Sequence, residues 1–359
     1  MKYIILAICF ALFLVGCITQ TEESNTSSFS PNLSSNISTL NKTPNVSKPA
    51  ITFVINTHDW YHLNNSAETL TRLLDIYDKY DVKAEFYFTE PAFKAYEQNY
   101  PEILEMLLSK NMTISFHIRA PHPVTFKSSY FLEMQNMTES ELENILTDYE
   151  TYELNLSDGS LNYDEKGGYS YIKERIGYAP IVAGLNAVTP ELKNAELKVL
   201  KEMGLQMYVR KHSEDIIEMA APGLLSRPSQ FGIEEKTQKY YWFTEDGESG
   251  SVDPLKEVVN PHTIFSNVEG YGLVIVHEND FYAELPGWRR VYWKDGDGDQ
   301  AIPKNPPYDI TTLSGDITFF TEAETEQQWA NYESIVAYAA QNFRVVTSRD
   351  IIADYYANN

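Results

Sequence analysis

Cysteine is almost absent. The 359 residues contain two, Cys9 and Cys17. No disulfide can form beyond Cys17, so a domain there must be held by its buried core. Basic residues are also few: 28 Lys and Arg stand against 51 Asp and Glu, a net charge of −23. They form no stripe, which excludes the electrostatic footprint that nucleic-acid binding requires. An acidic surface favours solubility and names no substrate. Long hydrophobic runs are missing as well. The apolar stretch from Ile4 to Val15 falls short of the roughly 20 residues that a spanning helix needs. There is no internal repeat.

What the N-terminus does contain is a signal. Lys2 supplies a positive start, the apolar stretch follows, and Leu14-Val15-Gly16-Cys17 closes it with small residues before a cysteine. That order predicts a secretory signal over residues 1–17, with Cys17 carrying a lipid and the chain held at the extracellular face of the cell membrane. The alternative is an uncleaved membrane anchor; both readings put the rest of the chain outside the cytoplasm. Residues 18–50 are dominated by Ser, Thr, Asn and Pro. Such a stretch buries too little apolar surface to offset its ordering entropy, and a disordered stalk is expected. Asn-x-Ser/Thr sequons begin there at Asn25, Asn32, Asn36, Asn41 and Asn45, and further on at Asn64, Asn111, Asn136 and Asn155. They mark either glycosylation or plain solvated sequence.

Residues 51–359 are expected to form one domain in which strands and helices alternate. Ile51–Ile55, Ala84–Phe88, Met112–Phe116, Tyr178–Val182, Leu205–Val209, Leu273–Val276 and Phe343–Val346 are of strand type. Ser66 is expected to cap a helix whose Leu70, Leu73, Leu74 and Tyr77 share one face. Helices are also expected from Pro101 to Leu108, from Thr138, from Pro190 to Met203, from Gln328 to Gln341, and after a cap at Ser348. This alternation predicts an α/β fold: a single distorted (β/α) barrel of seven strands. An open doubly wound sheet is the alternative, but no glycine-rich phosphate loop follows the first strand.

The polar residues sit at strand ends. His58 and Asp59 follow the first strand, and His117 follows the third with His122 five residues on. His277-Glu278-Asn279-Asp280 follows Leu273–Val276. In a (β/α) barrel the C-terminal strand ends meet on one rim, where active sites are built. Asp59, His117, His122 and His277 should therefore converge. Imidazoles with a carboxylate suit a catalytic zinc site that keeps a position open for water.

At these residues the domain resembles the polysaccharide deacetylases, carbohydrate esterase family four. Asn56-Thr57-His58-Asp59-Trp60 is similar to the family's first motif, and Ser115 to Pro123 to its second, which carries two metal-binding histidines. Leu273 to His277 is similar to its last. Tyr332 to Tyr355 is similar to its closing helix, strand and helix. The resemblance implies a divalent cation, zinc by preference, held by Asp59, His117 and His122. It implies His58 at the position of the catalytic base and His277 as the acid that protonates the departing amine. The implied activity is removal of N-acetyl groups from an extracellular or cell-surface glycan. The alternative is a silent barrel that binds such a glycan or serves as a structural surface lipoprotein.

The sequence departs from the family's pattern in three places. His58 stands where the family has aspartate; a neutral imidazole accepts a proton near pH 7. The two ligand histidines are five apart rather than four, with Pro121 between them. Tyr178-Ala179-Pro180-Ile181 lacks the third motif's arginine, for which Arg119 or Arg227 are the candidates. His62 is either a further polar group at the rim or a surface residue. Phe281, Tyr282, Trp288, Tyr292 and Trp293 either line a sugar groove or pack against the barrel. Asp295, Asp297 and Asp299 alternate as in a calcium loop. However, Gln300 and Pro306 stand where that loop needs glycine and glutamate, so a solvated acidic turn is the alternative.

Overall fold

The computed structural model describes residues 48–358 except 126–133, 135, 186, 188, 212–216, 230, 234–238, 244–248, 286, 295–301 and 311–316. The signal, Cys17, most of the stalk and the Asp295, Asp297 and Asp299 calcium candidate lie outside the described residues. Among the described residues no helix is long and apolar enough to cross a membrane.

The first half alternates as expected. Strand β1 (Ala50–Thr57) leads to α1 (Leu63–Lys79), β2 (Ala84–Phe88), α2 (Glu90–Asn99), α3 (Pro101–Ser109) and β3 (Thr113–Ile118). Helix α4 (Glu139–Tyr149) follows, with Thr138 and Glu141 in a reciprocal capping box at its start. A small hairpin of β4 (Tyr152–Leu154) and β5 (Leu161–Lys166) precedes α5 (Gly168–Ile176), β6 (Val182–Leu185), α6 (Pro190–Met203) and β7 (Met207–Lys211). The second half opens with five short strands: β8 (Glu218–Ala221), β9 (Leu224–Ser229), β10 (Phe231–Ile233), β11 (Tyr240–Phe243) and β12 (Ser249–Val252). A short α7 (Pro261–Ile264), β13 (Tyr271–His277) and α8 (Trp288–Tyr292) follow. The chain closes with α9 (Glu322–Asn342), β14 (Arg344–Val345) and α10 (Ser348–Asn358).

Parallel ladders join β13 to β1, β1 to β2, and then β3, β6, β7 and β9 in turn. β9 also lies against β13, which brings the two ends of this parallel run together. The fold is therefore α/β, with a curled parallel sheet clothed by helices. The sheet holds more than the seven strands expected: among the described residues twelve strands belong to it. The surplus comes from β14 beside β1, β8 antiparallel on β9, and β10 to β12 alongside β13.

Strand alternation separates two cores. Phe53 and Ile55 pack outward with Leu70, Leu73 and Leu74 of α1. Val54 points the other way and joins Tyr87, Val182, Met207, Leu225 and Leu273 from strands all round the sheet. Such a cluster forms only when the sheet wraps about it. Ile351 and Ile352 of α10 fill one end of that interior.

Three local expectations are corrected. Ser66 lies inside α1 rather than at its cap, and its hydroxyl is engaged by Asp59 and Tyr282 instead. Ser348 is the first residue of α10; Thr347 takes the cap position, where its N–H and hydroxyl both donate to Asp350. The sixth strand begins at Val182, after the predicted Tyr178–Ile181, because Pro180 has no N–H to give a ladder.

Candidate active site

Register places the chemistry. Asn56 pairs with His277 in the β1–β13 ladder, and His117 with Gly184 in the β3–β6 ladder. The residues at these C-terminal strand ends occupy one rim. Three imidazoles gather there. The ring of His58 lies 5.5 Å from that of His117 and 5.0 Å from that of His277, centroid to centroid. All three side chains are buried. Gly184 makes room for one of them, since a Cβ at that position would stand 3.0 Å from His117 Cδ2.

His277 is framed at both ring nitrogens. Asn56 Nδ2 is 3.2 Å from Nε2, and Asp280 Oδ2 is 3.4 Å from Nδ1. With the Asn56 amide nitrogen toward it, Nε2 accepts and the ring proton sits on Nδ1, facing the carboxylate; with the amide turned end for end, its oxygen accepts from a protonated Nε2 and the ring is a cation. Asp280 also accepts the His277 backbone N–H at 2.7 Å. A buried carboxylate in this position orients an imidazole and stabilises its cation.

The His58–Asp59 turn hangs on a second carboxylate. Glu278 Oε1 accepts the backbone N–H of His58 at 2.7 Å and that of Asp59 as well. Burial, and then the nearby charge of Asp59, push the Glu278 carboxyl up to about 8. Asp59 Oδ2 accepts the Tyr282 hydroxyl at 2.5 Å. Burial raises the Asp59 carboxyl above its ordinary value, against the Tyr282 hydrogen bond and the neighbouring His62, which lower it.

The expected ligand set divides. Among the described residues, the one group of at least three His, Cys, Asp or Glu donors that all lie within 4.8 Å of one another is His122, Glu150 and Glu196. Asp59 and His117 are not in it. His122 Nε2 instead faces Glu150 Oε1 at 3.1 Å. His117 and His122 meet in another way: both line a cavity of about 570 Å³, together with Trp60, Arg119, Tyr149 and Tyr152. His58 is not among the residues lining it.

The remaining candidates fall elsewhere. Arg227 Nη2 donates to Glu85 Oε2 at 2.5 Å and to the Tyr87 hydroxyl. This buried pair stands inside the barrel, so Arg227 holds Glu85 rather than His58. Arg119 lines the cavity. His62 is half-buried beside Tyr61, Tyr282 and Phe319 rather than free at the surface. Of the aromatics after His277, Phe281, Tyr282 and Tyr292 are buried: Phe281 stacks on Trp329 at 4.1 Å, and Tyr292 meets Tyr308 at 4.9 Å.

Sequence reasoning did not single out Glu150, Glu196 or Gly184. One of them left a signal. Glu196 falls on the apolar stripe of α6, between Leu192, Ala195, Val199 and Leu200, where a carboxylate is out of pattern.

No family model matches this sequence, and no curated protein matches it. Solved structures do. The chain is similar to a probable polysaccharide deacetylase from Pseudomonas aeruginosa PAO1, at 12% identity and a TM-score of 0.48, over 86% of this chain and 91% of that one. It is similar to PuuE allantoinase at 12% identity and a TM-score of 0.46, over 86% of this chain and 91% of that one. It is also similar to a carbohydrate esterase family four pseudoenzyme from Bacillus anthracis, at 13% identity and a TM-score of 0.37, over 84% of this chain and 64% of that one.

Proposed function

We propose that this chain is an amide hydrolase of the deacetylase type, acting on an N-acetylated glycan and held at the outer face of a membrane through Cys17. The observation that carries the reading is the position of His58 between His117 and His277 at the strand ends. In this scheme His58 takes the proton of the attacking water. His277, whose cation Asp280 stabilises, gives a proton to the departing amine. Among the described residues Asp59, His117 and His122 are not gathered within 4.8 Å of one another, and the steps above need only the imidazoles. His117 links this cluster to a cavity of about 570 Å³, which suits a small ligand: it lines the cavity while its ring lies 5.5 Å from that of His58. Trp60, Tyr149 and Tyr152 offer aromatic faces to a sugar ring, and His117 and Arg119 offer polar contacts.

A second reading is a glycan-binding barrel without turnover. It is favoured by the engagement of Asp59 with Tyr282, which commits the one carboxylate of the His58–Asp59 turn. The two readings separate on acetate release from N-acetylated oligosaccharides, measured for the wild type, His58→Ala and His277→Ala. The hydrolase reading expects release by the wild type and a loss of roughly 10²–10⁴-fold in kcat in each variant. Glycan binding with no release across a broad substrate panel would leave the binding module standing.

A further inference from the structure

Three side chains from different elements meet beside the cavity, which His122 lines. Glu150 caps the C-terminal end of α4, Glu196 lies mid-way along α6, and His122 comes from the loop after β3. Both carboxylates are fully buried, and His122 is 12% exposed. Burying carboxylates is expensive unless they are paired or hold a metal. Glu150 is partly served: Tyr169 N–H donates to Oε2 at 2.7 Å, and His122 Nε2 faces Oε1. Glu196 is not. Among the described residues its one polar partner is another carboxyl group, Glu150, and burial together with that neighbour pushes the Glu196 carboxyl well above its ordinary value.

The arrangement therefore lacks positive charge where two carboxylates converge. We infer that His122, Glu150 and Glu196 form a binding site for a divalent cation, at a place distinct from the Asp59–His117 rim. The donor set, one imidazole nitrogen and two carboxylates, matches the zinc and manganese class rather than the all-oxygen cages of calcium. The donor atoms lie within 4.8 Å of one another, as the corners of one coordination shell must. His122 lines the cavity, as do Tyr149 and Gly168 on either side of Glu150 in the fold. Val124 N–H lies 3.2 Å from His122 Nδ1, while Nε2 faces Glu150. An Nδ1 that accepts leaves the ring proton on Nε2. Binding a cation at Nε2 must therefore move that proton to Nδ1 and give up the Val124 contact.

This inference does not depend on the reading of His58, and its test reads metal rather than acetate. The full-length chain is stripped with chelator and titrated with Zn²⁺ and Mn²⁺, with bound metal and Tm as readouts. The expected result is one ion per chain and a raised Tm. In Glu196→Gln, which keeps shape and removes charge, affinity should fall by more than the roughly 10–100-fold that loss of an outer-shell partner causes. His122→Ala should behave alike, and circular dichroism confirms that each variant is folded. A wild type that binds neither ion would overturn the site. So would Glu196→Gln and His122→Ala that retain full affinity. Loss of the ion in Asp59→Asn with retention in Glu196→Gln would place it on the rim, which also overturns the inference.

Discussion

Glu278 Oε1 accepts the backbone N–H of His58 at 2.7 Å. The residue after the last rim histidine thus ties down the turn that carries the first. A carboxylate on β13's exit and an imidazole on β1's exit become one unit, although 220 positions separate them. Several measurable consequences follow from such buried carboxylates and tight contacts.

Stability should depend on pH through Glu278. Its carboxyl has an ordinary value of 4.5 and is pushed up to about 8 in the fold. Between these values the folded chain keeps a proton that the unfolded chain has released. The contribution is full below the lower value and declines as pH rises toward the upper one, by at most about 1.4 kcal/mol per pH unit. Denaturant midpoints at about pH 5 and about pH 8 should show the decline in the wild type and less of it in Glu278→Gln. Equal slopes in the two proteins would refute this assignment.

Asp280 is placed to tune His277. Asp280→Asn keeps the size of the side chain and removes the charge beside Nδ1. The pKa of the His277 imidazolium should fall, because a nearby anion favours the charged form. NMR titration of the His277 ring should register the drop, and in the hydrolase reading the acidic proton donor should be lost at a lower pH. An unmoved titration would show that the 3.4 Å approach carries no electrostatic weight.

Gly184 should tolerate no side chain without a shift of its neighbour. Alanine there would bring a Cβ to 3.0 Å from Cδ2 and 3.2 Å from Nε2 of His117. The His117 ring must give by a few tenths of an ångström. Gly184→Ala should lower acetate release or glycan affinity while changing stability by only about 1 kcal/mol, the usual scale for a surface-to-rim substitution. Wild-type behaviour on both readouts would mean the ring has room to spare.

Cys17→Ser should release the protein from membranes, since a lipid on Cys17 is the anchor in this reading. Fractionation checks it. Retention of the variant in the membrane fraction with its N-terminal segment intact would make Ile4–Val15 a true membrane anchor.

The parallel strands and their helices were legible because each buries a continuous apolar run or stripe, as Ile51–Ile55 and Leu70–Tyr77 do. Strand ends alone pointed to the convergence of Asp59, His117, His122 and His277; the rings that the structure shows close together are His58, His117 and His277, and His58 was singled out through the resemblance. The short strands β8 to β12 were not, because their mixed polar sequence carries no long alternation for a reader to count. The ligand role of His122 was implied by the resemblance. Its Nε2 faces Glu150, a partner that only the packing of α4 and α6 reveals. Ser66 misled for a related reason: a serine near a helix start looks like a cap, whereas this one is drawn inward by Asp59 and Tyr282.

The first strand finds its partners at the far end of the chain. Ala50 is in register with Tyr271 of β13 and with Arg344 of β14, while Ile351 and Ile352 supply apolar volume that Val54 packs upon. Nearly the whole polypeptide must be in place before β1 has both its neighbours and its filling. Contacts so distant along the chain make for slow folding, because loop closure is paid before the contacts reward it. The Val54 face of β1 stays open to solvent and to other chains throughout that interval, so refolding yield should fall with protein concentration well before native stability is at issue.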